Sequence, residues 1–197
     1  MTNPVWPSAL TPAGVEWRLQ KAGVQWRSPF SGSLQVGDFV GERWEVNISL
    51  RGEGRVRARS GLLESLLMHL SGGANQIDIW HWIRPMPLGT LRGSPTLKVV
   101  TVRGDSTLVL TTAAGATLLP GDLIGVGSQV FMCRTACAAV ANTLTVPCVN
   151  RARGVIAEDT AVVWNRPLVP VVMPEMSAGL AYRPGMTLPA EIQLVEP

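Results

Sequence analysis

Residues 42–70 read ERWEVNISL, then RGEGRVRAR, then SGLLESLLMHL, and this stretch decides the fold class. In Glu42–Leu50 the apolar residues Trp44, Val46, Ile48 and Leu50 alternate with Arg43, Glu45, Asn47 and Ser49. Period-two alternation puts one set on each face of an extended chain, as in a half-buried antiparallel strand. Arg51–Arg59 is a glycine-broken basic loop. Beyond it, Leu63, Leu66, Leu67 and Leu70 fall at i, i+3, i+4 and i+7, one apolar stripe of a helix. Ser60 has N-cap chemistry, Glu64 suits the positive end of the dipole, and Ser71-Gly72-Gly73 stops the run, predicting a helix at about 60–70. So short a helix must lay its leucines on a sheet, and Trp44, Val46, Ile48 and Leu50 are the expected partners.

Outward from this stretch the signals are strand and turn. Val15–Trp26 reads as a strand, a turn at Lys21–Gly23 and the start of another; Ser28–Gly32 is a turn cluster; Leu34–Val40 reads as strand. Gln76–Ile83 alternates and is predicted as a strand. Arg84–Thr90 holds Pro85 and Pro87, which lack the donor a sheet needs. Short strands follow at Thr96–Val102, Thr107–Thr111, Leu123–Val126, Gln129–Cys133, Leu144–Val146, Ala161–Trp164, Val169–Met173 and Ala190–Val195. The expected fold is mainly β: an antiparallel β-sandwich with one short helix and a small β-barrel-like subdomain in the second half. The expected parts are 1–92, with the helix, 93–165 as the β-rich subdomain, and 166–197 as strands returning to the first part.

Composition bounds the function. The 197 residues are 46% hydrophobic and only 16% charged, well under the usual quarter, which fits equally a surface partly covered by other subunits and a compact β domain with small neutral loops. Lys occurs only at Lys21 and Lys98, so nearly all the basic residues are Arg, a side chain suited to bidentate pairing at interfaces. A net charge of +3 is too mild to argue for nucleic acid. No apolar run reaches the roughly 18 residues of a membrane span, and residues 1–14 do not have the pattern of a secretory signal. The expectation is a protein made in a cytosol or assembled there into something larger.

No catalytic constellation emerges. There is no G-x-S-x-G elbow, phosphate-cradling P-loop or H-E-x-x-H. Asp38, Glu42, Glu45, Glu53, Glu64 and Asp78 are scattered acids with no pairing pattern. Cys133, Cys137 and Cys148 are odd in number and lack the spacing of a closed zinc site; only His69 and His81 could complete one, so they read as small buried residues. Asn47-Ile48-Ser49 is a chance glycosylation sequon. No catalytic, cofactor or metal residue is assigned, and the chain reads as non-enzymatic. The candidate contact residues are Trp6 in a Pro-punctuated arm, the basic Arg51, Arg55, Arg57 and Arg59, and Arg84, Pro85 and Pro87 in the RPMPLG turn. Trp80 and Trp82, flanking His81, could stack on sugars or bases, although isoleucines at strand spacing favour packing.

Several segments in a fixed order resemble the minor tail or distal tail proteins of long-tailed bacteriophages. They are SPFSGSLQ (28–35), GERWEVNISL (41–50), the Leu-rich helix leading to LSGG (70–73) and WIRPMPLGTLRGSP (82–95). ATLLPGDLIGVGSQVFM (116–132), a Val-Pro segment before Arg151, and VVWNRP (162–167) complete the series, which spans roughly residues 15–170. The resemblance implies a structural virion protein at the tail tip, assembled in the host cytoplasm and closing into a ring homo-oligomer, commonly a hexamer. Its implied neighbours are the tail tube protein and the hub and fibre proteins, and no cofactor comes with it. The alternative from another class is a carbohydrate-binding β-sandwich module of a phage or bacterial surface-binding protein.

Overall fold

The structure is a computed structural model that describes residues 3–197 except 52–56, 177–178, 184–185 and 188. In chain order the elements are β1 (Gly14–Gln20), β2 (Gly23–Arg27), β3 (Leu34–Asp38), β4 (Arg43–Leu50), α1 (Arg57–Leu70), β5 (Ile77–Ile79) and β6 (Thr96–Leu97). Next come β7 (Thr107–Thr111), β8 (Thr117–Leu118), β9 (Leu123–Val126), β10 (Gln129–Met132), β11 (Cys137–Ala138) and β12 (Thr143–Pro147). The chain ends with β13 (Val162–Val163), β14 (Val169–Val171), β15 (Tyr182–Arg183), β16 (Met186–Thr187) and β17 (Ala190–Val195). The protein is mainly β, with one helix among the described residues, as the alternation predicts.

The chain forms two compact units. The first comprises 1–19, 43–79 and 170–197; the second comprises 20–42 and 80–169. The divisions fall at 79/80 and 169/170 rather than at 92/93 and 165/166. Residues 20–42 also belong with the second unit, which sequence proximity to β4 does not suggest.

In the first unit β4 is the middle strand of a sheet ordered β1-β4-β17. Its alternation holds residue by residue: Trp44, Val46, Ile48 and Leu50 are buried. The cross-strand pairs Ile48–Ile192 and Val46–Leu194 put matched aliphatics on one face. Trp17 meets Trp44 edge to face, with ring centroids 5.9 Å apart. Leu63, Leu67 and Leu70 are buried and Leu66 half-buried, so the helical stripe faces inward. The helix starts at Arg57, however, which places Ser60 inside its first turn rather than at the cap. The expected strand at 76–83 stops at Ile79, and His81–Arg84 turns instead, with the Arg84 N–H donating to the His81 carbonyl at 3.1 Å.

In the second unit three small antiparallel sheets, β10-β9-β13, β12-β7-β6 and β11-β8, enclose one core. Leu97, Leu108, Leu110, Ile124, Phe131 and Leu144 are fully buried in it. Burying each such side chain is worth roughly 1.5–3 kcal/mol. None of these sheets closes into a barrel among the described residues. A separate two-stranded sheet, β2-β3, completes the unit.

Candidate functional site

The β2–β3 hairpin carries exposed apolar side chains on both of its faces. Its register pairs Val24 with Gly37, Gln25 with Val36, Trp26 with Gln35 and Arg27 with Leu34. Directly opposed residues share a face, so Val24 and Trp26 lie on one side and Leu34 and Val36 on the other. All four are exposed: Trp26 at 53%, Leu34 at 60% and Val36 at 58%, with Val24 close behind. At Gly37 a Cβ would sit 3.1 Å from the Trp26 ring, so a larger residue there would push the exposed indole aside by a few tenths of an ångström. Among the described residues no third strand pairs with either edge. An isolated two-stranded ribbon is marginal in water, and unpaired edges are templates for another chain.

The turn between the strands is nonetheless well built. The Ser28 Oγ accepts the main-chain N–H groups of Phe30 and Ser31 at 3.3 and 3.2 Å. The Ser28 N–H donates to the Ser33 carbonyl at 2.9 Å, and Gly32 supplies a left-handed φ of 67°. This turn holds Phe30 out at 98% exposure.

The base of the hairpin is anchored inside the second unit. The buried Gln129 donates from Nε2 to the Arg151 carbonyl at 2.7 Å and accepts the Arg153 N–H at 3.0 Å. The buried Asn150 accepts the Met132 N–H at 3.0 Å and donates to the Val130 carbonyl at 2.9 Å. These bonds fix the 150–153 backbone on β10 and aim the Arg151 side chain. Its Nε reaches the buried Glu42 carboxylate, and its Nη2 reaches the Asp38 carboxylate and the Phe39 carbonyl, all at 2.8 Å. One guanidinium thus clamps three points at the base of the hairpin.

The sequence-predicted contact residues fare differently. Trp6 is buried at 2%; its indole N–H donates to the Leu10 carbonyl at 2.7 Å, and its main chain bonds Asp78 at 3.0 Å. The N-terminal arm docks on its own unit, so this side chain is not a surface. Arg51 is exposed and, with Arg59, Leu10, Leu50 and Leu63, lines a cavity of about 380 Å3 in the first unit. Arg55 lies outside the described residues, as does the side chain of Arg57.

In the RPMPLG turn the expected contacts are largely used internally. Arg84 donates to the Gly121 carbonyl at 2.9 Å and lies 3.2 Å from the His81 Nε2. Pro87 is buried and Pro85 half-buried. The buried Asp122 carboxylate accepts the N–H groups of Leu88, Gly89 and Leu119 at 2.8, 3.0 and 2.8 Å. Gly89 is needed there, since a Cβ would meet the Thr117 carbonyl oxygen. What the turn exposes is Ile83, Met86 and Leu88. Trp80 and Trp82 sit 5.7 Å apart with planes tilted by 41°, and the Arg166 guanidinium lies 5.6 Å from the Trp80 ring centre. That pair is not a flat stacking platform.

His81 carries a pH dependence. The Arg84 N–H also points at its Nδ1 from 3.1 Å, so donors approach both ring nitrogens. Burial first, and then the Arg84 charge, lower its pKa from 6.5 to about 4, outweighing a backbone hydrogen bond that acts the other way. The unfolded chain therefore binds the proton more readily than the folded one. His81's contribution to stability is complete above about pH 6.5 and declines as pH falls toward 4, by about 3 kcal/mol at most. Thermal melts between pH 7.5 and 4.5 are expected to show this loss, and His81→Leu to flatten part of it. Parallel profiles for the two proteins would contradict the assignment.

No family model matches the chain, and no curated protein matches it. Among the described residues no group of three or more His, Cys, Asp or Glu side chains is placed to hold a metal ion. No helix among them is long and apolar enough to cross a membrane. The site must be read from its own chemistry. That chemistry is apolar surface, open sheet edges and a rigid anchor.

Proposed function

We propose that this chain is a structural, non-enzymatic virion protein of a phage tail tip, of the distal tail type. In this reading copies associate into a ring, a hexamer by the resemblance, that joins the tail tube to the hub and receptor-binding apparatus. The carrying observation is the β2–β3 hairpin, apolar on both faces with both edges open among the described residues and fixed at its base by Arg151. A ribbon of this kind is stabilised when a neighbouring copy adds strands to its edge and covers its face. The ring requires a head-to-tail contact, in which one face or edge of the hairpin meets a different surface of the next copy. Such contacts make a ring when the rotation closes. The exposed Ile83, Met86 and Leu88 add a second apolar patch on the same unit. The ordered series of segments described above supports placing such a ring at a tail tip.

The hairpin gives the reading a direct test. Trp26→Glu combined with Val36→Lys alters one exposed side chain on each face and leaves the buried core untouched. Self-association measured by sedimentation velocity is expected to weaken about 100-fold or more, with the far-ultraviolet spectrum unchanged. An unaltered oligomer in this variant would remove the hairpin from the interface.

A further inference from the structure

Three thiols that the assembly reading does not use lie together in the second unit. Cys133 directly follows β10 and Cys148 directly follows β12, and the two oppose one another in an antiparallel bridge. The flanking hydrogen bonds fix the kind of pair. Arg134 N–H donates to the Pro147 carbonyl and Val149 N–H to the Met132 carbonyl, both at 2.8 Å. The bonds lie on either side of the cysteines rather than between them, which defines the non-hydrogen-bonded position. There Cα atoms stand about 4.5 Å apart and side chains are closest, within the range of roughly 4.4–6.8 Å that a disulfide spans. Both thiols are free and buried; the Cys133 Sγ donates to the Thr135 carbonyl at 3.0 Å and the Cys148 Sγ to the Val146 carbonyl at 3.5 Å. Cys137, on β11, is partly exposed, and it and Cys133 are close enough to influence each other's ionisation.

We propose that Cys133 and Cys148 form a dithiol that closes to an internal disulfide under a low-molecular-weight disulfide oxidant, with Cys137 as the entry thiol. The Cys137 thiolate attacks one sulfur of the oxidant, making a mixed disulfide and releasing one thiol. Deprotonated Cys133 attacks the Cys137 Sγ and expels the second thiol. Deprotonated Cys148 then attacks the Cys133 Sγ, and Cys137 returns as a thiol. Two protein thiols become one disulfide, the oxidant is reduced to two thiols, and the two protons lost by the protein are taken up there. The bond settles on Cys133–Cys148 because the ladder already holds those two residues face to face. Burial raises both of these thiols to about 12, which keeps their thiolate fraction small and makes closure slow.

The test uses the purified full chain incubated with glutathione disulfide at pH 8, alkylated under denaturing conditions and digested with trypsin. Arg134 and Arg151 are cleavage sites, so the linked product joins two peptides, and fragmentation assigns the cysteine in the second. A Cys133–Cys148 link is expected within one chain, with Tm about 5–10 °C higher and the shift reversed by reductant. Cys137→Ser is expected to slow closure at least about tenfold without changing its product, and Cys148→Ser to abolish the Tm shift. Three alkylatable thiols after exhaustive oxidation, a final link at Cys137, or a link between copies would each overturn the proposal.

Discussion

Asp122→Ala is expected to lower the stability of the second unit by about 4 kcal/mol. The carboxylate accepts three main-chain N–H groups, from Leu88, Gly89 and Leu119, at 2.8–3.0 Å in a buried setting. Each bond to a charged group contributes about 1.5–3 kcal/mol, and deletion strands the donors without water. The loss is less than the simple sum because the released 84–90 turn can relax toward solvent. Asp122→Asn keeps the shape and one acceptor oxygen but turns an NH2 toward an N–H, so about half the loss is expected. Urea unfolding should show a lower midpoint with little change in slope, and amide exchange should accelerate at Leu88 and Gly89. A loss under about 1 kcal/mol would mean that the carboxylate is not what holds this turn.

Arg151→Ala is expected to cost about 3 kcal/mol and to loosen the hairpin. Its guanidinium is the hydrogen-bond partner of the buried Glu42 Oε1, and removing one member of a buried pair leaves a charge that the interior cannot solvate. The contact to Asp38, whose side chain is largely exposed, adds little to this figure. Arg151→Lys retains the charge but not the fork that spans Glu42, Asp38 and the Phe39 carbonyl. It should fall between the wild type and the alanine variant. Hydrogen exchange offers the specific readout: Phe39 N–H donates to the Ala22 carbonyl at 2.8 Å at the hairpin base, and its protection should drop more than that of the β7–β12 ladder. Uniform loss of protection across the unit would point to general destabilisation rather than release of an anchor.

The contrast between Trp44 and Trp26 shows how far sequence reading reaches here. Around Trp44 the chain alternates cleanly, the pattern encodes a sheet face, and the buried set is the one the pattern names. Trp26, Leu34 and Val36 are just as apolar, and residue type alone assigns them to a core. Their exposure depends on β2 and β3 pairing with each other and with no third described strand, a long-range outcome that no local pattern records. The membership of residues 20–42 is hidden for the same reason. It rests on Arg151 meeting Glu42 and Asp38 across 109 and 113 residues.

Local chemistry misleads at two further points. Ser60 has the right side chain for a cap, yet α1 begins at Arg57 and the helix passes through it. Gln76–Ile83 alternates in sequence, but β5 ends at Ile79 and His81 caps a turn that Arg84 closes. β8 and β11 are two residues each, too short for periodicity to register. Of the candidate contact residues, Trp6 and Pro87 are consumed by their own unit. The more telling apolar surface lies on the hairpin and at Ile83, Met86 and Leu88, partly within the SPFSGSLQ and WIRPMPLG segments, but residue type does not record its exposure.

Ring formation through the hairpin, as proposed, can be seen by negative-stain or cryogenic electron microscopy of the purified full chain. Closed rings with a central channel are expected, and they should be lost in the Trp26→Glu, Val36→Lys variant. Strictly monomeric particles at high protein concentration, in a chain whose spectrum shows it folded, would contradict the account.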